Sequence, residues 1–181
     1  RYEDPISLAQ YPLYNEDLID DGAELAEEMI RGTLEDVEEI IRVTKMTPQK
    51  VHLYTAPAWK AEAIKCACEI QLEGSLEVGT LIKTLMANPD LKRFGKEIPK
   101  FVQKLVPEFK SGGADRYEIF TGPGIDEQTL LKEAVSFLEK EIGCPVEVHS
   151  ADSPAYDPEK KSRFAEPLRP AIYIEQSKKE E

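Results

Sequence analysis

"KVHLYTAPAWKAEAIKCACE", Lys50 to Glu69, changes its hydrophobic period halfway along. Val51 and Leu53 alternate with His52 and Tyr54, the two-residue repeat of a strand buried on one side. Thr55-Ala56-Pro57 interrupts that repeat, and Trp59, Ala63, Cys66 and Ile70 then recur at helical spacing. A strand, a turn and a helix follow, with Thr55 expected to cap the helix and Pro57 in its first turn, where a missing N–H costs nothing. The stretch lacks the glycines that let backbone N–H groups close around phosphate, so it is no P-loop. Cys66 and Cys68 stand about 200° apart around a helix and cannot share one metal ion while it is intact. What remains is a structural joint, with Trp59 in the core and Lys60 at its edge.

The elements upstream and downstream are mostly helical. Asn15 is positioned as the N-cap of a long helix with Glu16 and Asp17 in its first turn, favourable at the positive end of the dipole. Ile19, Ala26, Ile30, Leu34, Val37 and Ile41 form its apolar stripe as far as Val43, while Asp20, Glu24, Glu27, Glu28, Glu35, Glu38 and Glu39 form a solvated face. A third helix is expected over Leu76 to Ala87, stopping at Asn88-Pro89. "LKRFGKEIPKFVQKLVPEFK" is amphipathic with a break at Pro99. In it Phe94, Ile98, Phe101, Leu105 and Phe109 make the apolar stripe. Arg93, Lys96, Lys100 and Lys104 stack beside that stripe as a basic ridge.

"SGGAD", Ser111 to Asp115, interrupts the periodicity and marks the expected boundary between residues 1–113, a helical bundle, and 114–181, a small α/β domain. In the second part "RYEIF" reads as a strand, "TGPG" as a turn, Asp126 to Ile142 as a helix stopped by Gly143, and "PVEVH" as a second, parallel strand. A polar stretch with short helical potential leads to a third strand, "PAIYIE", and "QSKKEE" reads as a disordered tail. The fold class is a mainly α helical bundle followed by β-α-β plus a further strand.

The net charge of -12 is unevenly spread: residues 44–113 carry 11 Lys/Arg against 7 Asp/Glu and are basic at +4. A local basic face is what phosphate contact requires, whatever the overall sign. Cys66, Cys68 and Cys144 are too few and too apolar in context for a disulfide framework, which points to a reducing, cytoplasmic setting. No apolar run reaches the roughly 18 residues of a membrane span. Without an initiator Met before Arg1, the chain is expected to be a fragment or processed product.

His52 and His149 sit in strand patterns and neither belongs to a local motif with Ser or Cys, so both are assigned structural roles and no catalytic or metal-binding residue is singled out. "TGPGID" offers glycines before a helix, but Asp126 and Glu127 put negative charge where a phosphate would lie, which favours a structural turn. The basic ridge, with Trp59-Lys60 as a lesser stacking candidate, is the feature that asks for a partner.

"YPLYNEDLID", "LEDVEEIIRVTK", "KVHLYTAPAWK", "LMANPDLKRFGKEIPKFVQKLV" and "LRPAIYIE", in that order, resemble the C-terminal region of the archaeal and eukaryotic cytosolic type of leucyl-tRNA synthetase, from about Tyr11 to Glu175. The resemblance implies that residues 1–113 belong to the anticodon-binding-type helical bundle of class Ia synthetases. It makes 114–181 the mobile domain that reads the long variable arm of tRNA(Leu). It implies tRNA(Leu) and the remainder of the synthetase chain as partners, with other synthetases as further companions, and no membrane. ATP and Mg would serve the parent enzyme, with no cofactor in this part. The His-Ile-Gly-His and Lys-Met-Ser-Lys-Ser signatures of class I catalysis are missing, and "KMTPQ" has Pro48 where the second lysine would stand. The tRNA contacts expected are Arg93, Lys96, Lys100 and Lys104, with Lys60 peripheral. The competing expectation is a helical protein-interaction adaptor that binds no nucleic acid.

Overall fold

A computed structural model describes residues 21–121 and 125–176. Helix α1 runs Asp21–Thr44 and ends one residue beyond the expected Val43. Its inward face is Met29, Thr33 and Val37, flanked by Ile30, Leu34, Ile40 and Ile41. Glu24, Glu27, Glu28, Glu35, Glu38 and Glu39 are all exposed, as the charge pattern demands. The expected N-cap at Asn15 lies outside the described residues. Of the expected tail 176–181 only Gln176 is described, and it is the last residue of the third strand rather than part of a tail.

Strand β1 (Pro48–Thr55) is the middle strand of a three-stranded sheet. It lies between β2 (Val146–Ser150), to which it is parallel, and β3 (Ala171–Gln176), to which it is antiparallel. The expectation of one buried side is corrected, because Val51 through Thr55 are all buried. On one face Val51 and Leu53 pack with Val146, Ile174 and the helices. On the other, His52 is covered by the rings of Tyr156, His149 and Tyr173 at centroid distances of 4.9, 5.3 and 5.8 Å. The Tyr54 hydroxyl there donates to the Tyr156 carbonyl at 2.8 Å. A central strand has neighbours on both edges and both faces, so the polar half of its alternation is enclosed too.

The helices fall into two groups. Helices α5 (Glu127–Glu133) and α6 (Val135–Ile142) join α1 against the sheet, with Leu131 and Leu138 fully buried. Helices α2 (Ala58–Glu73), α3 (Val78–Ala87) and α4 (Ile98–Glu108) form a second core around Ile64, Leu81, Ile98 and Val102. A division at 113/114 would cut β1 from both of its sheet partners. The helical group instead occupies the long connection between the parallel strands β1 and β2.

Three local expectations change. "RYEIF" is no strand: Asp115–Thr121 is a 3-10 helix that buries Tyr117 and Phe120, and Tyr117 stacks on Phe109 with ring centroids 5.4 Å apart. Side chains three apart share a face in a 3-10 turn, and the helical core rewards that spacing over alternation. The helix expected over Asp126–Ile142 is divided at Ala134, although Gly143 at φ 81 stops it as foreseen. Pro99 opens α4 rather than interrupting a longer helix, taking the first-turn position that tolerates it.

Candidate nucleic-acid interface

Trp59 begins α2 and is 7% exposed, stacked on Phe94 at 5.3 Å and edge-on to Phe101 at 5.4 Å. It belongs to the helical core, as expected. The cap of α2 is different from the sequence reading. The Thr55 hydroxyl lies toward the His149 carbonyl at 3.4 Å, and the first free N–H of the helix, Ala58, donates to Asp152 Oδ2 at 2.9 Å. Asp152 follows β2, so a distant carboxylate takes the capping role.

Lys60, expected as a peripheral tRNA contact, is largely enclosed. It is 7% exposed, and its ammonium donates to the carbonyls of Arg163, at 3.3 Å, and Ala165. The Trp59 and Phe101 rings lie 5.7 and 5.5 Å from the nitrogen. Burial pulls its pKa down, opposed by Glu166. With two of its three N–H donors committed to the 163–165 backbone, Lys60 holds that segment against α2 and has little left to offer a phosphate.

The remaining ridge is exposed but is not one helix face. Lys100 and Lys104 project from α4, Lys96 stands in the turn before it, and Arg93 lies on the 3-10 segment Pro89–Phe94 with its guanidinium 4.7 Å from the Phe94 ring. Lys100 and Lys104 line a cleft with Arg163, Phe164 and Arg169, from the segment that crosses from the 3-10 turn Lys161–Phe164 to β3. Phe164 is 60% exposed, and the Arg163 guanidinium sits 4.6 Å from its ring. Counting Lys60, the cleft has five basic side chains against two acidic ones, Glu97 and Glu166. The excess is real but partly used: Lys104 pairs with Glu166, and Arg169 pairs with Asp36 at 3.2 Å. Lys100 and Arg163 are therefore the cations with most to gain from an incoming anion. Arg163, Phe164 and Arg169 lie outside the ridge read from sequence: "KSRF", Lys161 to Phe164, is a basic-aromatic cluster inside a stretch read only as polar, and Arg169 stands in "LRPAIYIE".

The start of α5 is held by the chain's own side chains. Asp126 caps the helix, accepting the Thr129 N–H at 3.0 Å and its hydroxyl at 2.7 Å, and the hydrogen bonds from Thr129 hold its carboxyl below the usual value. The chain's own carboxylate occupies the anion position of that helix end. Asp126→Ala is expected to cost about 1 kcal/mol in urea unfolding. The glycines Gly122 and Gly124 fall outside the described residues.

The two histidines, separately structural in sequence, meet across the sheet. His52 Nδ1 lies 3.0 Å from His149 Nε2, and Glu147 Oε2 lies 3.5 Å from each. The register places them so: His52 faces Glu147 across the parallel pair, and His149 is two residues farther along the same side. Among the described residues no helix is long and apolar enough to cross a membrane.

No protein-family model matches the chain. It is 87% identical over 179 residues, 99% of its length, to a leucine–tRNA ligase of Methanosarcina barkeri, covering 18% of that protein. It is 52% identical over 172 residues to the leucine–tRNA ligase of Methanococcoides burtonii, again covering 18% of it. Identity to that of Methanothermobacter thermautotrophicus is 33% over 170 residues, 94% of this chain and 17% of the relative. The chain thus spans less than a fifth of the length of the curated relatives it matches, and within that span it belongs to the leucine–tRNA ligase family.

Proposed function

We propose that this chain is the tRNA-holding, non-catalytic C-terminal part of an ATP-dependent leucine–tRNA ligase, acting in the cytoplasm on tRNA(Leu) with the rest of the synthetase. Leucine activation, with ATP and Mg, takes place elsewhere in that enzyme. The observation that supports this reading is the cleft where Lys100 and Lys104 of α4 meet Arg163 and Arg169 around the exposed Phe164 ring. Cations converging from two segments suit a curved phosphate backbone, and an exposed aromatic ring beside an arginine suits an unstacked base. The acidic face of α1 repels the same polyanion and so restricts where it docks.

The test is fluorescence anisotropy of labelled tRNA(Leu), against a tRNA with a short variable arm, from about 50 to about 200 mM salt. Affinity is expected to fall with salt by nearly one log unit per log unit of salt for each phosphate contact. Changing Lys96, Lys100 and Lys104 together to Glu is expected to weaken binding by about 100-fold and flatten the slope. Glu166→Gln, which frees Lys104 from an exposed pair, is expected to strengthen binding about two- to fivefold. Unchanged affinity in the triple variant, or equal binding of the two tRNAs, would count against this cleft and its specificity respectively. Absence of any tRNA binding at physiological salt, together with recovery of a defined protein partner, would favour the adaptor alternative.

A further inference from the structure

We propose that His52, His149 and Glu147 form a binding site for a divalent transition-metal ion, with zinc the best fit, bracing β1 to β2. Three ligand atoms, His52 Nδ1, His149 Nε2 and Glu147 Oε2, make a triangle with sides of 3.0, 3.5 and 3.5 Å. The point equidistant from them in their plane is about 1.9 Å from each, and Zn–N and Zn–O bonds run about 2.0–2.2 Å. An ion seated slightly out of that plane reaches all three ligands without moving the backbone. The fourth tetrahedral position then faces away from the triangle and is completed by water.

The protonation pattern of the site supports the same conclusion. As a plain hydrogen bond, the histidine contact accommodates one proton between two ring nitrogens. It leaves Glu147 Oε2 at 3.5 Å from both, beyond a good hydrogen bond. It also leaves His52 Nε2 buried with no hydrogen-bond partner, in a side chain only 2% exposed. A metal on Nδ1 fixes the His52 proton on Nε2, where Glu175 Oε1 at 3.5 Å is the nearest carboxylate and is not yet hydrogen-bonded. A small shift of the Glu175 side chain would complete the carboxylate–histidine–metal arrangement that usually supports a zinc ligand. Lys50 pairs with the other oxygen of Glu147, Oε1, leaving Oε2 for the ion. With Glu147 and Glu175 negative and Lys50 positive, the surroundings carry a net negative charge that favours a dication.

The ligands stand on adjacent strands rather than loops, so little ordering is needed on binding. The Glu147 side chain is 47% exposed and His149 is 10% exposed, which gives the ion an approach from the Glu147 side. Tyr156 and Tyr173 close the opposite side over His52.

The test is titration with Zn2+ and Co2+ of a variant in which Cys66, Cys68 and Cys144, two of them buried, are changed to Ala, which removes the thiols as ligands. One equivalent of Co2+ is expected to bind with the visible spectrum of a four-coordinate N/O site, and Zn2+ is expected to displace it and raise the melting temperature. His149→Ala and Glu147→Gln are each expected to weaken Co2+ binding by about 100-fold or more. Glu147 is half exposed, so its variant retains the fold if His149→Ala does not, and circular dichroism checks both. Loss of the one-equivalent spectrum in the folded cysteine-free chain, its persistence in both variants, or only weak multi-site binding of the kind an acidic helix gives would overturn the proposal.

Discussion

Leu53→Ala is expected to lower the unfolding free energy by about 3 kcal/mol, within the range for emptying a fully enclosed leucine site. Leu53 has no exposed surface and pairs with Val148 on one side and Ile172 on the other. The cavity opens between β1 and the layer formed by α1, α5 and α6, where close packing on every side limits collapse. Amide hydrogen exchange adds the sharper readout. Protection should fall together in Val146–Ser150 and Ala171–Gln176, because both strands hydrogen-bond to β1. Amides of α3 and α4, in the other core, should keep more of theirs. If the strands after residue 145 kept their protection while β1 lost its own, the chain would divide near residue 113 after all.

Glu127→Ala is expected to cost about 2–4 kcal/mol, because one carboxylate serves two separate loops and leaving buried donors unpaired is expensive. Glu127 is 8% exposed at the start of α5. Its Oε1 accepts the Leu168 N–H at 2.8 Å and its Oε2 accepts the Ala56 N–H at 3.4 Å. It therefore ties the exit of β1 to the approach of β3. Leu168 is held there with φ 65, a conformation costly for a leucine, and packs against both cores. Glu127→Gln keeps an acceptor for the shorter bond and is expected to lose about half as much.

The same residue has a pH signature. Burial pushes the Glu127 carboxyl above its ordinary 4.5, with the backbone hydrogen bonds opposing. Between 4.5 and the raised folded value, the native state keeps a proton that the unfolded chain has released. Stability contributed by this group is therefore complete below 4.5 and declines as pH rises through the folded value. Urea midpoints of wild type and Glu127→Gln should converge as pH is raised through that window, apart from the lost hydrogen bond. A constant difference from pH 4 to 7 would show that Glu127 titrates normally.

The long periodic segments were legible because their side-chain spacing has one solution. Of the expected α1 stripe Val37 is buried and Ile30, Leu34 and Ile41 pack partly buried beside it, while Met29 and Thr33, which that stripe left out, are buried too. The glutamates face water, and α2 to α4 start and stop close to where Pro, Asn and Gly punctuate the chain. "RYEIF" was not legible, since five residues satisfy either a strand or a 3-10 turn and the neighbours Phe109 and Cys68 decide. The basic character of α4 was visible, but the cleft was not, because Arg163 and Phe164 reach it only through the return of the chain toward β3.

Local spacing by itself determined the long helices, that Val51–Tyr54 is a strand and that Trp59 lies in the core. The order of family-like phrases determined the kinship. Only tertiary structure decided that β1 is central, that Asp152 caps α2 and that Lys60 is spent on backbone carbonyls. It also decided that His52 and His149, 97 residues apart, meet within 3.0 Å. The reason is that periodicity reports one face of one element, whereas strand pairing and long-range hydrogen bonds depend on which distant segment comes to lie beside it.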